Sequence, residues 1–360
     1  MKKVLFFVPK RYSLFQIFRD VFASRGCEIR EVDHFDIISI GMRRLNAQMF
    51  RLPSRLRRRW EGYYSQKINA YYLDEYERFR PDLVFVYNSE MILPETLARF
   101  RQKSKVAFFM GDHPFYTPTN RYYLSLLFNA DALFVPDTFW MAQLAKMGAD
   151  NMHYLPPCLP TKVYHPVALS ESERAAYQTE VLYVGMNYVD SWGYKKAKFM
   201  DNFCGFDLQI HGNKHWRKWF DFFPRLAEHF QEQTSLYPIE EMNKRYNATK
   251  IVPVDGNPGL LHGIHLRMYE ALAAGALPLL EWQGDLPLLF GADIELPAVK
   301  DYRAIPEMAS YYLRHEAERK ALVERMRDAV QSRFSSERIA DIIFEALQMR
   351  SHFGQWTPAQ

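Results

Sequence analysis

Cysteine is scarce in this chain. Only Cys27, Cys158 and Cys204 occur in 360 residues, too far apart for a disulfide framework or a CxxC metal knuckle. That excludes small stapled secreted scaffolds and points to a reducing compartment, read as the cytoplasm. Long apolar runs are missing too. Met1-Lys2-Lys3 followed by Val4-Leu5-Phe6-Phe7-Val8 imitates a signal peptide, but the run is short and stops at Pro9-Lys10-Arg11. No later segment reaches the roughly 20 apolar residues of a membrane span. Neither GxGxxG nor a P-loop glycine pattern is present, which argues against a dinucleotide dehydrogenase or a P-loop enzyme. Acid is absent from one stretch: Arg43, Arg44, Arg51, Arg55, Arg57, Arg58 and Arg59 follow one another with no Asp or Glu between them. A solvated helix face is one reading of that run. The favoured one is a surface that attracts anions, whether acidic lipid, phosphate or nucleic acid. A formal net charge of only +4 argues against specific nucleic-acid binding as the main function.

What is present is an ordinary globular composition, 48% hydrophobic and 24% charged, with a high aromatic content of 16%. The length suggests two domains. In the first half, short apolar runs at Val4–Val8, Cys27–Val32, Leu83–Tyr87, Val106–Met110, Ala132–Val135 and His153–Leu155 read as buried strands. Helical patterns at Leu14–Ser24, Trp60–Phe79, Pro94–Arg101 and Phe139–Met147 alternate with them. This is the pattern of a parallel sheet covered on both faces. A ligand is expected beyond the carboxyl ends of the strands, which places Lys10-Arg11, Asn88 and Asp112-His113 on one edge. After a proline-rich break the pattern restarts with strands at Val181–Val184, Leu208–Ile210, Lys250–Pro253 and Leu277–Leu280. Helices are expected at Ile239–Tyr246, His265–Ala274, Ile305–Phe334 and Ser336–Met349. The expected division is a first domain over 1–160, a linker over 161–180, a second domain over 181–335, and a helix within 336–360 packing back on the first.

The segment from Gly263 to Glu281 carries the most chemistry. Gly263 allows close backbone approach, and a helix N-terminus after it favours phosphate. Arg267 and Glu270 are three apart on one face. Arginine suits diphosphate oxygens and a carboxylate suits ribose hydroxyls. The competing reading is a surface Arg–Glu ion pair. Gly185, followed by Asn187, Lys195 and Lys196, offers a second glycine turn feeding a basic helix. His262 and His265 lack an acid partner in metal-site spacing, so no bound metal is expected. Asp112 and His113 can move protons or bind a sugar, and can equally form a simple turn. Trp216, Trp219, Phe220, Phe222 and Phe223 read as packing residues.

Taken in order, these blocks resemble the GT-B-fold glycosyltransferases, and within them the CgeB-like, spore-maturation-protein-like group. The residues concerned are Asp112-His113-Pro114, Leu182-Tyr183-Val184-Gly185, Gln209-Ile210-His211-Gly212-Asn213-Lys214-His215-Trp216, and the Arg267, Glu270, Ala273, Ala274, Gly275 series. The resemblance spans nearly the whole chain. It implies an α/β fold of two Rossmann-like doubly wound parallel-sheet domains facing a cleft. It also implies metal-independent transfer of a hexosyl or related group from a UDP-, GDP- or dTDP-sugar, a co-substrate rather than a bound cofactor. The alternative on the same scaffold is a non-catalytic sugar- or nucleotide-binding protein. By resemblance Glu270 holds the ribose and Arg267 the diphosphate. Gly185, Asn187, Lys195 and Lys196 line the phosphates, and His211, Gly212, Asn213 and Lys214 border the base. His262, Gly263 and Ile264 belong to the donor loop, and Asp112 and His113 are catalytic from the first domain. Lys10, Arg11, Asn88, Arg55, Arg57 and Arg58 form the acceptor side. The acceptor is a glycan, a lipid-linked molecule or a protein, with contact to an anionic membrane at the inner face of the cell included. Two positions depart from the widespread pattern. His262 stands eight residues before Glu270, where retaining GT-B enzymes carry an acid, and lysines replace an arginine after the first glycine loop.

Overall fold

The computed structural model describes residues 3–348 apart from 9, 11, 12, 50, 89, 90, 116–121 and 236. Two compact units emerge. One takes the described residues of Met1–Pro136, Trp140–Leu155 and Ser336–Gln360, and the other takes Asp137–Phe139 and Pro156–Ser335.

The first unit holds six parallel strands: β1 (Lys3–Phe7), β2 (Glu28–Glu31), β3 (Leu83–Tyr87), β4 (Lys105–Phe109), β5 (Ala132–Val135) and β6 (Met152–Tyr154). Their order is β2-β1-β3-β4-β5-β6. Val4 registers with Leu83 and Phe6 with Phe85. Helices cover both faces, so β1, β3, β4 and β5 are continuous apolar runs rather than alternating ones. The aromatic excess has its place here. Phe18 lies 4.8 Å from Phe85 and 4.6 Å from Phe109, and Phe22 lies 5.1 Å from Phe85, ring centre to ring centre. Helix Ser336–Gln348 packs on helix Ser13–Ala23. Phe344 lies 6.4 Å from Phe22, and the Arg25 guanidinium reaches the Asp341 carboxylate at 2.6 Å.

The second unit holds β7 (Thr179–Val184), β8 (Leu208–Gly212), β9 (Phe230–Glu232), β10 (Thr249–Val254), β11 (Leu277–Glu281) and β12 (Ala298–Val299). Their order is β12-β11-β10-β7-β8-β9, all parallel. The strand order reverses between β7 and β10, where such sheets bind ligands.

Several local features differ from the sequence reading, among them helices Ile40–Met49 and Tyr123–Phe128 and strands β9 and β12, which it did not contain. The helix expected from Trp60 starts at Ser54, directly after Pro53, because the arginines before Trp60 are themselves good helix formers. The single helix expected over 305–334 is two, Ile305–Arg314 and Glu316–Arg333, interrupted at His315. The polar stretch after Pro160 contains helix Glu171–Tyr177, opened by a reciprocal Ser170–Glu173 capping box. Among the described residues no helix is long and apolar enough to cross a membrane.

Candidate functional site

In the second unit the loops at the carboxyl ends of β7, β8, β10 and β11 converge on a buried group of charges. Asp255 follows β10. Its Oδ1 lies 3.3 Å from Arg267 Nη1 and its Oδ2 3.3 Å from Lys196 Nζ. The Lys196 ammonium donates to the Tyr183 hydroxyl at 2.7 Å, and that hydroxyl donates to Asp255 Oδ1 at 2.8 Å. The Arg267 guanidinium lies over the Tyr183 ring at 4.2 Å and donates twice to the Val184 carbonyl. Asp255, Arg267 and Lys196 are 2, 5 and 6% exposed. Burial alone would raise the Asp255 pKa, but Lys196 and Arg267 outweigh it and draw it down to about 2. His265, the N-cap of helix Leu266–Ala274, accepts from the Arg267 amide through Nδ1. Burial first, and then Arg267, push its pKa down to about 3, so it is neutral. The group therefore pairs two cations with one carboxylate, and Glu270 also acts on Arg267 along the same helix.

This arrangement corrects several sequence-based expectations. Arg267 turns inward to Asp255, against the competing reading of a surface pair with Glu270, which is half-buried further along the same helix. Lys196 is an interior residue rather than part of an exposed basic helix start. Lys195 is neutralised by Glu281 at 2.6 Å, and the same carboxylate accepts from the Gly256 amide and the Tyr302 hydroxyl. Gly185 is demanded by Arg267: a Cβ there would lie 2.5 Å from Nη2. Gly212 lets two loops close, since its Cβ would lie 2.4 Å from the Gly185 carbonyl oxygen.

The donors of the loop before helix Leu266–Ala274 are also engaged. The backbone N–H groups of Leu261, His262 and Gly263 all donate to Asp137 Oδ2, at 2.7, 2.9 and 2.9 Å. The expectation that Gly263 offers its backbone to a ligand thus gives way to an internal anion holding the loop. Thr138 donates through its amide and hydroxyl to Asp285, and His262 Nδ1 lies 3.0 Å from the Thr138 hydroxyl. Ile264 is a core side chain rather than a lining residue.

Near β8 lies His211, expected to border the base. That side chain is buried against Tyr237 and Gln209. Burial, then Arg245, lower its pKa to about 4. Asn213 accepts from the Asn187 amide and donates to the Asn187 carbonyl, clamping the β7 and β8 loops together. Asn187 Nδ2 is buried with no hydrogen-bond partner among the described residues, whereas Lys214 is exposed.

In the first unit, Asn88 at the end of β3 adopts φ 44°, a left-handed conformation that asparagine tolerates better than most residues. Its Nδ2 donates to Asp112 Oδ2, and its Oδ1 accepts from the Gly111 amide at 3.1 Å. Asp112 reaches solvent, yet desolvation raises its pKa above the ordinary value, opposed by the Asn88 hydrogen bond. His113 Nδ1 accepts from the Phe115 amide at 3.2 Å, which assigns the neutral ring's proton to Nε2. His113 is thereby a hydrogen-bond donor in that tautomer, and Asp112 is the better proton acceptor. Lys10 lies 3.7 Å from Asp36. Arg11 is outside the described residues. Arg57 is not an open charge, because it pairs with Glu61 at 3.1 Å. Arg55 and Arg58 are exposed and form no ion pair among the described residues.

The whole chain can be laid over solved structures. It covers 97% of its length on sucrose-phosphate synthase from Thermosynechococcus elongatus, with 99% of that chain covered, TM-score 0.66 and 14% identity. The figures are 97%, 99%, 0.63 and 12% for the E. coli trehalose-6-phosphate structure bound with UDP-2-fluoro glucose. They are 97%, 100%, 0.61 and 11% for Anabaena HepE in complex with UDP and glucose. The chain has the GT-B fold. Residues 195–345 of this GT-B chain match the family described as glycosyl transferase-like. No curated protein matches it by sequence.

Sequence reasoning gave no role to four residues of this charged group and its neighbouring loops: Asp137, Tyr183, Asp255 and Glu281. Three of them lie in or at the carboxyl end of a strand, and Asp255 stands just before Gly256, which is the positional signal that was there to use. Asp137 also stands just beyond a strand, β5, but the loop it joins lies more than 120 residues later in the chain, which its position does not reveal.

Proposed function

We propose that this protein is a glycosyltransferase of the CgeB-like group that moves a sugar from a nucleotide diphosphate sugar to an acceptor. The observation that carries the reading is the buried excess of positive charge at the strand-order reversal of the second unit. Two cations share the one carboxylate they pair with, Glu270 on the same helix also acts on Arg267, and the histidine beside them is neutral; holding this charge buried costs free energy that an added anion would offset. A diphosphate supplies that charge. A fixed positive field is also what a departing nucleoside diphosphate needs as its negative charge develops. Lys196 and Arg267 supply the field, Asp255 and Tyr183 hold them in place, and Asp137 fixes the adjoining loop beforehand, so little reorganisation is left for the reaction. Glu270 binds the ribose hydroxyls. Asp112, with its raised pKa and Asn88 support, accepts the proton of the acceptor, and His113 donates a hydrogen bond from Nε2 to the sugar.

Because two of the fold relatives carry UDP or a UDP-sugar, a uridine nucleotide is the first donor to test. A thermal-shift and hydrolysis screen with UDP-, GDP-, dTDP- and CMP-sugars should give one clear response. Glu270→Ala should weaken it without lowering the unliganded melting temperature by more than a few degrees. Flat responses to every donor would overturn the reading.

A further inference from the structure

The acid-free arginine stretch of the first unit becomes a helical hairpin, Ile40–Met49 followed by Ser54–Phe79. The Trp60 indole pins the two helices by donating to Asn46 Oδ1 at 2.9 Å. What the hairpin shows to solvent is unusual in two ways. Arg44, Arg51, Arg55, Arg58 and Arg59 are exposed and form no ion pair among the described residues. In addition, five of the fourteen exposed large apolar side chains among the described residues fall between positions 40 and 63: Ile40, Leu45, Leu52, Leu56 and Tyr63. At 100° per residue, Arg55, Arg59, Tyr63 and Leu56 share an arc of about 100° on the second helix. Leu52 and Arg51 precede them in the turn.

We propose that this hairpin docks the protein on an anionic lipid surface, with the leucines and Tyr63 entering the headgroup boundary and the arginines facing lipid phosphates. Charge alone would fit any polyanion. The interleaved leucines decide between occupants, since free phosphate and a nucleic-acid backbone offer nothing apolar for them to enter, whereas an interfacial helix gains from both terms. The opposite face of the second helix is already committed to the protein through buried Tyr64 and Ile68, so the apolar exposure is not a core face left uncovered. The inference does not depend on the proposed glycosyl transfer, because binding to vesicles can be read with no nucleotide sugar present.

The test is sedimentation of the full chain with vesicles of phosphatidylcholine alone, or with about one-third phosphatidylglycerol, where each arginine near an anionic surface strengthens binding by about fivefold. Binding is expected only to the anionic vesicles and should weaken as salt rises. Arg55→Gln with Arg59→Gln should reduce it by about twentyfold or more. Leu52→Ser with Leu56→Ser should reduce it by about tenfold or more with every arginine kept. Melting temperatures within a few degrees of the parent establish that both variants are folded. Absence of binding to anionic vesicles overturns the proposal. So does undiminished binding by the leucine variant, which would reduce the surface to a site for free phosphate or nucleic acid. Tighter retention on single-stranded RNA than on anionic vesicles, insensitive to the leucine changes, would assign the surface to nucleic acid instead.

Discussion

Replacing Asp255 by asparagine keeps the shape of the side chain and removes the anion that pairs with both Lys196 and Arg267. Asparagine Oδ1 can still accept from the Tyr183 hydroxyl, so the change is largely one of charge. Lys196 and Arg267, 6 and 5% exposed, then lose the carboxylate they pair with, while Glu270 still acts on Arg267. Breaking a buried pair in this way costs about 3–5 kcal/mol. For a unit of roughly 180 residues each kcal/mol moves the midpoint by about 2–4 °C, so a fall of about 6–20 °C is expected. The variant also carries one more net positive charge at the site. Added UDP or pyrophosphate should therefore raise its melting temperature by more than it raises the parent's. Calorimetry with and without ligand reads both quantities. The double variant Lys196→Met, Asp255→Asn should recover part of the loss, because it removes a cation along with its partner. A single variant that melts within about 2 °C of the parent, or one that gains no more from diphosphate than the parent does, would refute the idea that an unbalanced buried charge awaits an anion.

Asp137→Ala should destabilise the second unit by at least about 2 kcal/mol in a denaturant titration, since three N–H donors lose their acceptor, while Asp137→Asn should lose less. His211 is neutral in the folded unit with a pKa near 4, against roughly 6.5 unfolded. The unfolded chain binds the extra proton between those values, so stability should fall as pH drops through that window and level off below it. At about 1.4 kcal/mol per pH unit the contribution is about 3 kcal/mol, and a His211→Gln variant should show a correspondingly flatter profile of denaturation midpoints. Asp112→Asn should cut turnover at least tenfold with little change in donor affinity, measured by transfer kinetics beside nucleotide titration; equal losses in both would make the turn a shaping element only.

The strands were legible in the sequence because burial on both faces leaves continuous apolar runs such as Leu83–Val86, and turns such as Gly275, with φ 98°, mark where helices stop. Arg267, Lys196 and Gly185 were legible as a group, but their roles were not. Spacing along a helix says that Arg267 and Glu270 are neighbours, yet it cannot say which of two acids a long guanidinium will reach. The answer came from Asp255 on another strand. The apolar half of the 40–63 hairpin escaped notice for a similar reason. Leu52 and Leu56 look like ordinary core positions until packing leaves them 39 and 54% exposed.

The helix Ser336–Gln348 has a consequence for how the polypeptide is made. Its contact surface on helix Ser13–Ala23 is complete only when helix Ser336–Gln348 has itself left the ribosome. At bacterial or eukaryotic synthesis speeds that is on the order of tens of seconds after Phe22 emerges. The second unit, by contrast, takes no residue beyond Ser335. The later-synthesised unit can thus reach its native state first, while the earlier one waits with an apolar helix face uncovered. Removal of the chain after residue 335 should leave soluble, folded second-unit sequence joined to a first unit that binds chaperones.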